Sequence, residues 1–343
     1  MSYKANESIE QWLAQESPED VLEADLPIID PHHHLWDIRT FTTEPYASFE
    51  QKVYLCQEIV DDIRTSGHNV RQTVFAQCGA FYRADGPEAM RCVGETEFVH
   101  GIYAMSNSGI YGDVRLCTGI FSSADMRLGK DVGPVLDAHI AASANFRGVR
   151  TAFPADLNDD FMAGYAELAR RGLSFDNWSP DFDRLPALAR LADANTDVTV
   201  IVNHLGGRID PNASDEEVAR WRAGIDAVAG CANTVIKCGG GQMRVGPWEP
   251  PYHMHQCPAP MSSEALAEVL FPYYQYVIEA FGPDRCMFES NFPVDRECVS
   301  YRTLWNLFKR IAARLGLSDS EKQAIFSGTA ARAYRLSEGR DEA

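Results

Sequence analysis

A closed α/β barrel of the (β/α)8 (TIM) type, with an N-terminal extension and a C-terminal helix, is the fold this sequence predicts. Three observations predict it. Eight short runs are rich in β-branched and apolar residues, helix-periodic stretches lie between them, and the 343 residues exceed the ~250 of a typical barrel by enough for added segments. The runs are IIDPHHH from Ile28, RQTVFAQCG from Arg71, RLCTGIFSS from Arg115, NFRGVR from Asn145, LSFDNW from Leu173, VTVIVNHLG from Val198, TVIKCGG from Thr234 and RCMFESNF from Arg285. Between them, stretches such as DFMAGYAELARRG and EEVARWRAGIDAVAG carry helical periodicity and close on glycine, as helix C-termini prefer. Strand alternating with helix is the pattern of parallel βα units. An open doubly wound sheet is the rival, but no G-x-G-x-x-G follows the first run and no G-K-[ST] occurs. The glycines of CGGGQM and HLGGR therefore read as strand-exit turns. Residues 1–25 read as an extension with one short helix, 26–343 as one barrel domain, and 318–336 as a helix capping the barrel.

Composition narrows the function. A formal charge of −18 argues against a nucleic-acid or anionic-membrane surface, so an anionic substrate must be held by local cations. Nine cysteines, an odd number with no C-x-x-C, read as reduced thiols of a cytoplasmic protein. The polar, acidic N-terminus has no apolar core, so neither secretion nor membrane insertion is expected. The expected partner is a small-molecule substrate; self-association is left open.

In such a barrel the reacting groups sit where strands end, so each strand's last inward polar residue is informative. Alternation along the first run puts Asp30, His32 and His34 on one face and His33 on the other, with the two imidazoles about 6 to 7 Å apart at ~3.3 Å rise per residue. The second run sets Gln77 in register with Phe75 and Thr73, and the fourth places Arg150 two residues after Gly148. The fifth aligns Ser174, Asp176 and Trp178. On the sixth, Val198, Val200, Val202 and His204 share a face, an apolar column ending on an imidazole. The seventh contributes Lys237 in register with Val235, and the eighth aligns Met287, Glu289 and Asn291. His253 and His255 lie in a proline-rich loop. Singly, His204 could be a packing residue, Lys237 could extend to solvent and Asp176 could accept backbone amides. Three imidazoles, two carboxylates, an Arg and a Lys at one rim point instead to a site.

These motifs carry a resemblance. The D-x-H-x-H of Asp30 to His34, NHLGG from Asn203, KCGG from Lys237, FESNFPVD ending at Asp295 and the closing GTAARAYRL resemble the amidohydrolase superfamily. The similarity is to its amidohydrolase-2 branch, which contains 2-pyrone-4,6-dicarboxylate lactonase and sugar lactonases such as fuconolactonase. The resemblance implies that His32 and His34 bind a divalent metal or help polarise a scissile carbonyl, with His204 as the strand-six histidine. It also implies hydrolysis of a lactone or related ester, with decarboxylation of an aromatic or unsaturated acid and a catalytically inert binding barrel as the alternatives. Arg150 suits a substrate carboxylate, which a guanidinium grips as a fork. Gln77, Asp176, Trp178, Lys237, His253 and His255 complete the expected substrate-binding set. The expected cofactor is one zinc or manganese ion on His32, His34 and His204, with a metal-free site as the alternative. One departure stands out. Where the family carries an aspartate that activates water, this chain has Asn291, and an amide cannot accept that proton. The base is then expected to be Glu289, with Asp176 second and Asp30 third. Asn203 stands where an aspartate commonly precedes the histidine, and is expected to point away.

Overall fold

The computed structural model describes residues 7–43, 46–151, 153–154, 157–208, 213–241 and 259–337. Eight parallel strands form one sheet in sequential order: β1 Ile28–His33, β2 Val70–Ala76, β3 Arg115–Ser122, β4 Phe146–Arg150, β5 Ser174–Asn177, β6 Val200–Val202, β7 Thr234–Cys238 and β8 Cys286–Phe288. Each of the eight expected runs holds one strand. The barrel closes just beyond β8, where the Asn291 amide donates to the His32 carbonyl (2.9 Å) and the His34 amide to the Phe292 carbonyl (2.6 Å). That seam lies within the D-x-H-x-H segment, so closing the barrel and placing the histidines are one event.

The described α-helices before the C-terminal segment are α1 Glu7–Leu13, α2 Cys56–Ser66, α3 Val93–Asn107, α4 Gly133–Ala142, α5 Asp159–Arg170, α6 Leu185–Ala194, α7 Asp215–Ala229, α8 Ser263–Phe281 and α9 Tyr301–Arg314. Their starts are written locally. Ser214 accepts from the Glu217 amide while Glu217 reaches back to the Ser214 amide, a capping box that opens α7. Asn158, Ser262 and Ser300 cap α5, α8 and α9 in the simpler way. None of the described helices is long and apolar enough to cross a membrane.

The apolar residues form two main cores and a small cluster of Ile9 and Trp12 on α1. The larger fills the space between sheet and helices. The smaller lies inside the barrel, built from Ile29, Val74, Ala76, Phe121, Ile201 and Met287, and the C-terminal segment closes it with Ala330, Ala333, Tyr334 and Leu336. That segment is one helix in expectation. In the structure it is an α-helix over Asp319–Gln323, a π-helical turn over Ala324–Gly328 and a second α-helix over Thr329–Ala333. The wider π turn is a local break in the ladder. The extension carries its expected short helix, α1, tied down by Arg296 on Glu10 (2.9 Å), while Lys309 donates to the carbonyls of Leu22 (2.7 Å) and Glu23 (2.9 Å).

The inner core corrects three register expectations. On β6, Val200 and Val202 pack among the helices and Ile201 faces the barrel interior, so the valine column is an outer face. On β2, Val74 and Ala76 point inward and Phe75 outward. On β1, Ile29 points inward, and the pairing with β2 shifts between Asp30 and His33. Pro31 has no amide to donate to the ladder there. The shift breaks simple alternation, so Asp30 does not share a face with the site histidines.

Candidate active site

Seven strand ends bring the inward groups together. Glu289, just past β8, is fully buried with Oε1 2.6 Å from Nδ1 of His204 and Oε2 2.8 Å from Nδ1 of His32. The Oε2 contact is out of hydrogen-bond alignment, which leaves that oxygen without an aligned donor. His32 also places Nε2 3.3 Å from Nε2 of His34. His34 in turn faces the Ala76 carbonyl through Nδ1 (2.8 Å). A carbonyl only accepts, so Nδ1 of His34 carries the hydrogen and its Nε2 presents a lone pair toward His32. The His32 and His204 rings lie 4.6 Å apart, and Trp178 sets an edge-on wall 4.9 Å from His204.

Beneath this cluster runs a buried polar layer. Lys237, fully buried, donates to Oδ1 of Asp176 (3.0 Å), stands 3.2 Å from Nδ1 of His32 and rests 4.2 Å from the Phe121 ring centroid. Asp176 Oδ1 also accepts from the Tyr334 hydroxyl (2.8 Å) and the Asn203 amide (3.0 Å). Burial pulls the Lys237 ammonium below its usual range, opposed chiefly by Asp176. Burial, with Lys237 adding repulsion, holds His32 well below the ordinary imidazole value, and burial with Arg150 does the same for His34. Both rings are therefore neutral near pH 7. Burial pushes the Glu289 carboxyl up to about 8, against the pull of Lys237.

Arg150 enters from β4. Its Nε donates to Gln77 Oε1 (3.2 Å), a terminal nitrogen donates to the Gln77 carbonyl, and the other terminal nitrogen stands 3.4 Å from Nε2 of His32. The structure thus unites His32, His34, His204, Glu289, Gln77, Arg150, Asp176, Trp178 and Lys237. Asn291 is buried at the seam, where its side chain donates to Asp295 (3.0 Å) and its backbone sits at φ +54°. His253 and His255 lie outside the described residues.

Two expectations are corrected. Asp30, third in line as a base, turns outward: it accepts from the Ser290 amide (2.9 Å) and the Tyr301 hydroxyl (2.9 Å) and fastens β8 to β1. Asn203 does not point away but joins the Asp176 layer. Asn203 follows from alternation, two residues after the inward Ile201, whereas His204 is swung inward by a left-handed turn with φ +52° at His204 and +55° at Leu205. The glycines of KCGG, read from sequence as a strand-exit turn, have a second role. A Cβ on Gly239 would lie 2.1 Å from Cγ of Glu289, and one on Gly240, at φ +62°, would lie 2.9 Å from Nδ1 of His204. These glycines are the space into which the His204–Glu289 pair fits. Tyr334 stands in the closing GTAARAYRL, but nothing there pointed to its contact with Asp176.

The donor set fits a divalent ion. Ligand atoms of His32, His204 and Glu289 all lie within 4.8 Å of one another. Two nitrogens on a tetrahedral zinc, each at ~2.0–2.1 Å, are roughly 3.3–3.4 Å apart, and Nε2 of His32 and Nε2 of His34 are separated by 3.3 Å. The Arg150 guanidinium beside His32 works against a cation there.

The model of the amidohydrolase family Amidohydro_2 matches residues 29–336. This chain belongs to that amidohydrolase family. An uncharacterized protein of Sinorhizobium fredii is 32% identical over 338 residues, covering 91% of this amidohydrolase and 100% of the relative. An L-fucono-1,5-lactonase of Burkholderia multivorans is 28% identical over 191 residues, 53% of this chain and 58% of the lactonase. Among solved structures, a Burkholderia multivorans amidohydrolase with bound zinc superposes with a TM-score of 0.69 at 21% identity, covering 90% of this chain and 99% of its own. A 5-carboxyvanillate decarboxylase of Novosphingobium aromaticivorans, complexed with manganese and a nitrobenzoic acid, gives 0.52 at 12% identity over 94% and 100%. At those identities the two structures speak for the barrel. The chain is thus an enzyme of the amidohydrolase superfamily.

Proposed function

We propose that this amidohydrolase opens a lactone or related ester of a small carboxylated or polyhydroxylated substrate. The observation that carries the reading is the contact of Nδ1 of His204 with Oε1 of Glu289, 2.6 Å apart. A carboxylate there holds Nδ1 protonated and leaves Nε2 as a base, the arrangement that makes imidazole competent to take a proton from water. Both oxygens of Glu289 face imidazole nitrogens. Glu289 therefore acts through the histidines, and Asn291 is not needed as a base.

Ester hydrolysis asks for three things: a base for water, positive charge for the carbonyl oxygen and a proton for the leaving alkoxide. His204 takes the proton from water at Nε2 and returns it to the alkoxide. Arg150 supplies fixed positive charge beside His32 and recognises a substrate carboxylate. Lys237 and Asp176 hold His32 in place from below, and Trp178 walls the water-activating histidine. A zinc or manganese ion held by His32, His204 and Glu289 would add Lewis acidity at the carbonyl, with Nε2 of His204 then a ligand in place of its role as base. The partial match to a fuconolactonase supports the lactone class over other esters.

The test is metal analysis of the purified protein, then a pH-indicator screen of carboxylated and sugar lactones with and without added zinc or manganese. Acid release from a lactone is the expected result. Release of CO₂ from an aromatic acid without consumption of water, or binding with no turnover, would replace the reading by a decarboxylase or an inert barrel.

A further inference from the structure

The turn after β2 is built around a carboxylate that the hydrolytic reading does not use. Glu95, in the first turn of α3 and fully buried, accepts on Oε1 from three successive amides: Cys78 (3.1 Å), Gly79 (2.8 Å) and Ala80 (3.1 Å). Its Oε2 accepts from the Ser122 hydroxyl at the end of β3 (2.7 Å). Consecutive amides converging on one oxygen form an anion nest, here filled by the chain's own side chain. Left-handed backbone at Gly79 (φ +76°) and Phe81 (φ +58°) curls the turn around it. Helix and turn also touch directly, since a Cβ on Gly94 would lie 2.7 Å from both the Phe81 carbonyl oxygen and the Arg83 amide. The residue just before this nest is Gln77, whose carbonyl and side chain occupy two of the three guanidinium nitrogens of Arg150 and leave the third beside His32.

We propose that Glu95 is a positioning residue for anion recognition: it locks the turn over residues 78–80 so that Gln77 aims Arg150 at His32. The proposal rests on the reading of Arg150 as the anchor for the substrate's anionic group and deepens it. A guanidinium clamped on two nitrogens offers an incoming carboxylate only its remaining donors. The distance from that carboxylate to the carbonyl beside His32 is then set by the turn rather than by a swinging side chain. Glu95 thereby selects substrates in which an anionic group and the scissile carbonyl are held at one fixed spacing. Other contacts help to seat the turn, namely the Tyr46 hydroxyl on the Cys78 carbonyl and Arg83 on Glu97, but neither engages the amides nearest Gln77.

Arginine labelling by phenylglyoxal on the full chain, mapped by peptide mass, reads this directly. Arg296, buried in ion pairs with Glu10 and Asp62, serves as the internal control. In Glu95→Ala, labelling of Arg150 should accelerate by about 10-fold or more, as a buried carboxylate and the hydrogen bonds it accepts are lost, with Arg296 unchanged. Glu95→Gln keeps an acceptor for the amides and turns its own amide toward Ser122, so it should stay within about threefold of the parent. An unchanged Arg150 rate in a folded Glu95→Ala overturns the proposal, and so does an equal rise at both arginines, which is general loosening. If Glu95→Ala does not fold, Glu95→Asp withdraws the carboxylate by one methylene and carries the same two outcomes. The labelling needs no substrate. A lactone assay in which Arg150→Ala is indifferent would remove the anchor reading while leaving the labelling result to stand or fall by itself.

Discussion

Nδ1 of His204 lies 2.6 Å from Oε1 of Glu289, and the carboxyl group has no solvent contact. Replacing that carboxyl by an amide keeps the shape and removes the charge that steadies a protonated imidazole. Glu289→Gln should therefore lower kcat by roughly 10² or more with KM little changed, the scale of a disabled general base. Asn291→Asp should rescue it at most in part, because Asn291 is engaged with Asp295 at the seam. Equal activity of the amide variant, with Asp176→Asn inactive, would move the base to β5.

The same carboxyl predicts a pH limb. Its proton is held up to about 8 by burial, and only the anion carries the charge that steadies a protonated His204. The sign is then positive: kcat/KM should rise as pH climbs toward about 8, and the limb should vanish in Glu289→Gln. Bound zinc or manganese favours the anion, so metal loading should move the limb to lower pH and chelation should move it back. A pH-rate profile flat from 6 to about 9 in the metal-free parent would contradict the assignment.

Arg150→Ala should discriminate between substrates. For a carboxylated lactone, kcat/KM should fall by a factor on the order of 10 to 1,000, as for loss of a charge-assisted hydrogen-bonded pair. A neutral sugar lactone should be affected far less. Equal losses for both would make Arg150 a structural prop.

Lys237 and Asp176 form a buried ion pair at 3.0 Å with neither side chain exposed. Lys237→Met strands a carboxylate in the interior and should cost about 3–5 kcal/mol of unfolding free energy. The double variant Lys237→Met with Asp176→Asn should recover a substantial part of that loss, measured by urea denaturation. Strict additivity of the two single losses would mean the pair is not coupled.

Gly239→Ala tests the cradle without touching a reactive group. The new methyl would have to occupy space 2.1 Å from Cγ of Glu289. We expect a destabilisation of roughly 1–3 kcal/mol from overpacking and a fall in kcat, whereas Gly172→Ala, at a site where a Cβ meets nothing within 4 Å but φ is +60°, should lose stability alone.

His139 gives a prediction remote from the site. It is buried, donates from Nε2 to the Ser123 carbonyl (3.0 Å), accepts at Nδ1 from the Thr96 hydroxyl (2.7 Å) and stacks on Phe146 at 4.7 Å. Burial lowers its pKa from 6.5 to about 4. The unfolded chain binds a proton near 6.5 that the folded chain refuses until about 4, so stability is present above that window and is lost as pH falls through it. The share of His139 is at most about 3 kcal/mol at ~1.36 kcal/mol per pH step. His139→Gln should flatten the fall in melting temperature between neutral pH and pH 4.5 or so; an unchanged slope would show that the acid sensitivity comes from other groups, among them His32, His33, His34 and His68, whose values burial also lowers.

The eight strands, their order and the helices between them were legible in the sequence because periodicity and caps are local properties, set by which side chains recur every two or 3.6 residues. His32, His34, Arg150, Asp176, Trp178, Lys237 and Glu289 could be named for the same reason: each is a polar residue at or near the end of a strand-like run, where a barrel gathers its reacting groups. Which way a strand end turns is not a local property. Pro31 and the register shift at β1 sent Asp30 outward, and the left-handed backbone at His204 brought an imidazole inward from a strand whose valines face the helices. Tyr334 meets Asp176 across 158 positions of chain, Glu95 grips amides 15 to 17 positions before it, and Gly239 is required by Glu289, a side chain beyond the end of the neighbouring strand. Such contacts arise only once the sheet has closed, when burial obliges each polar group to find its partner among whatever the fold has placed beside it.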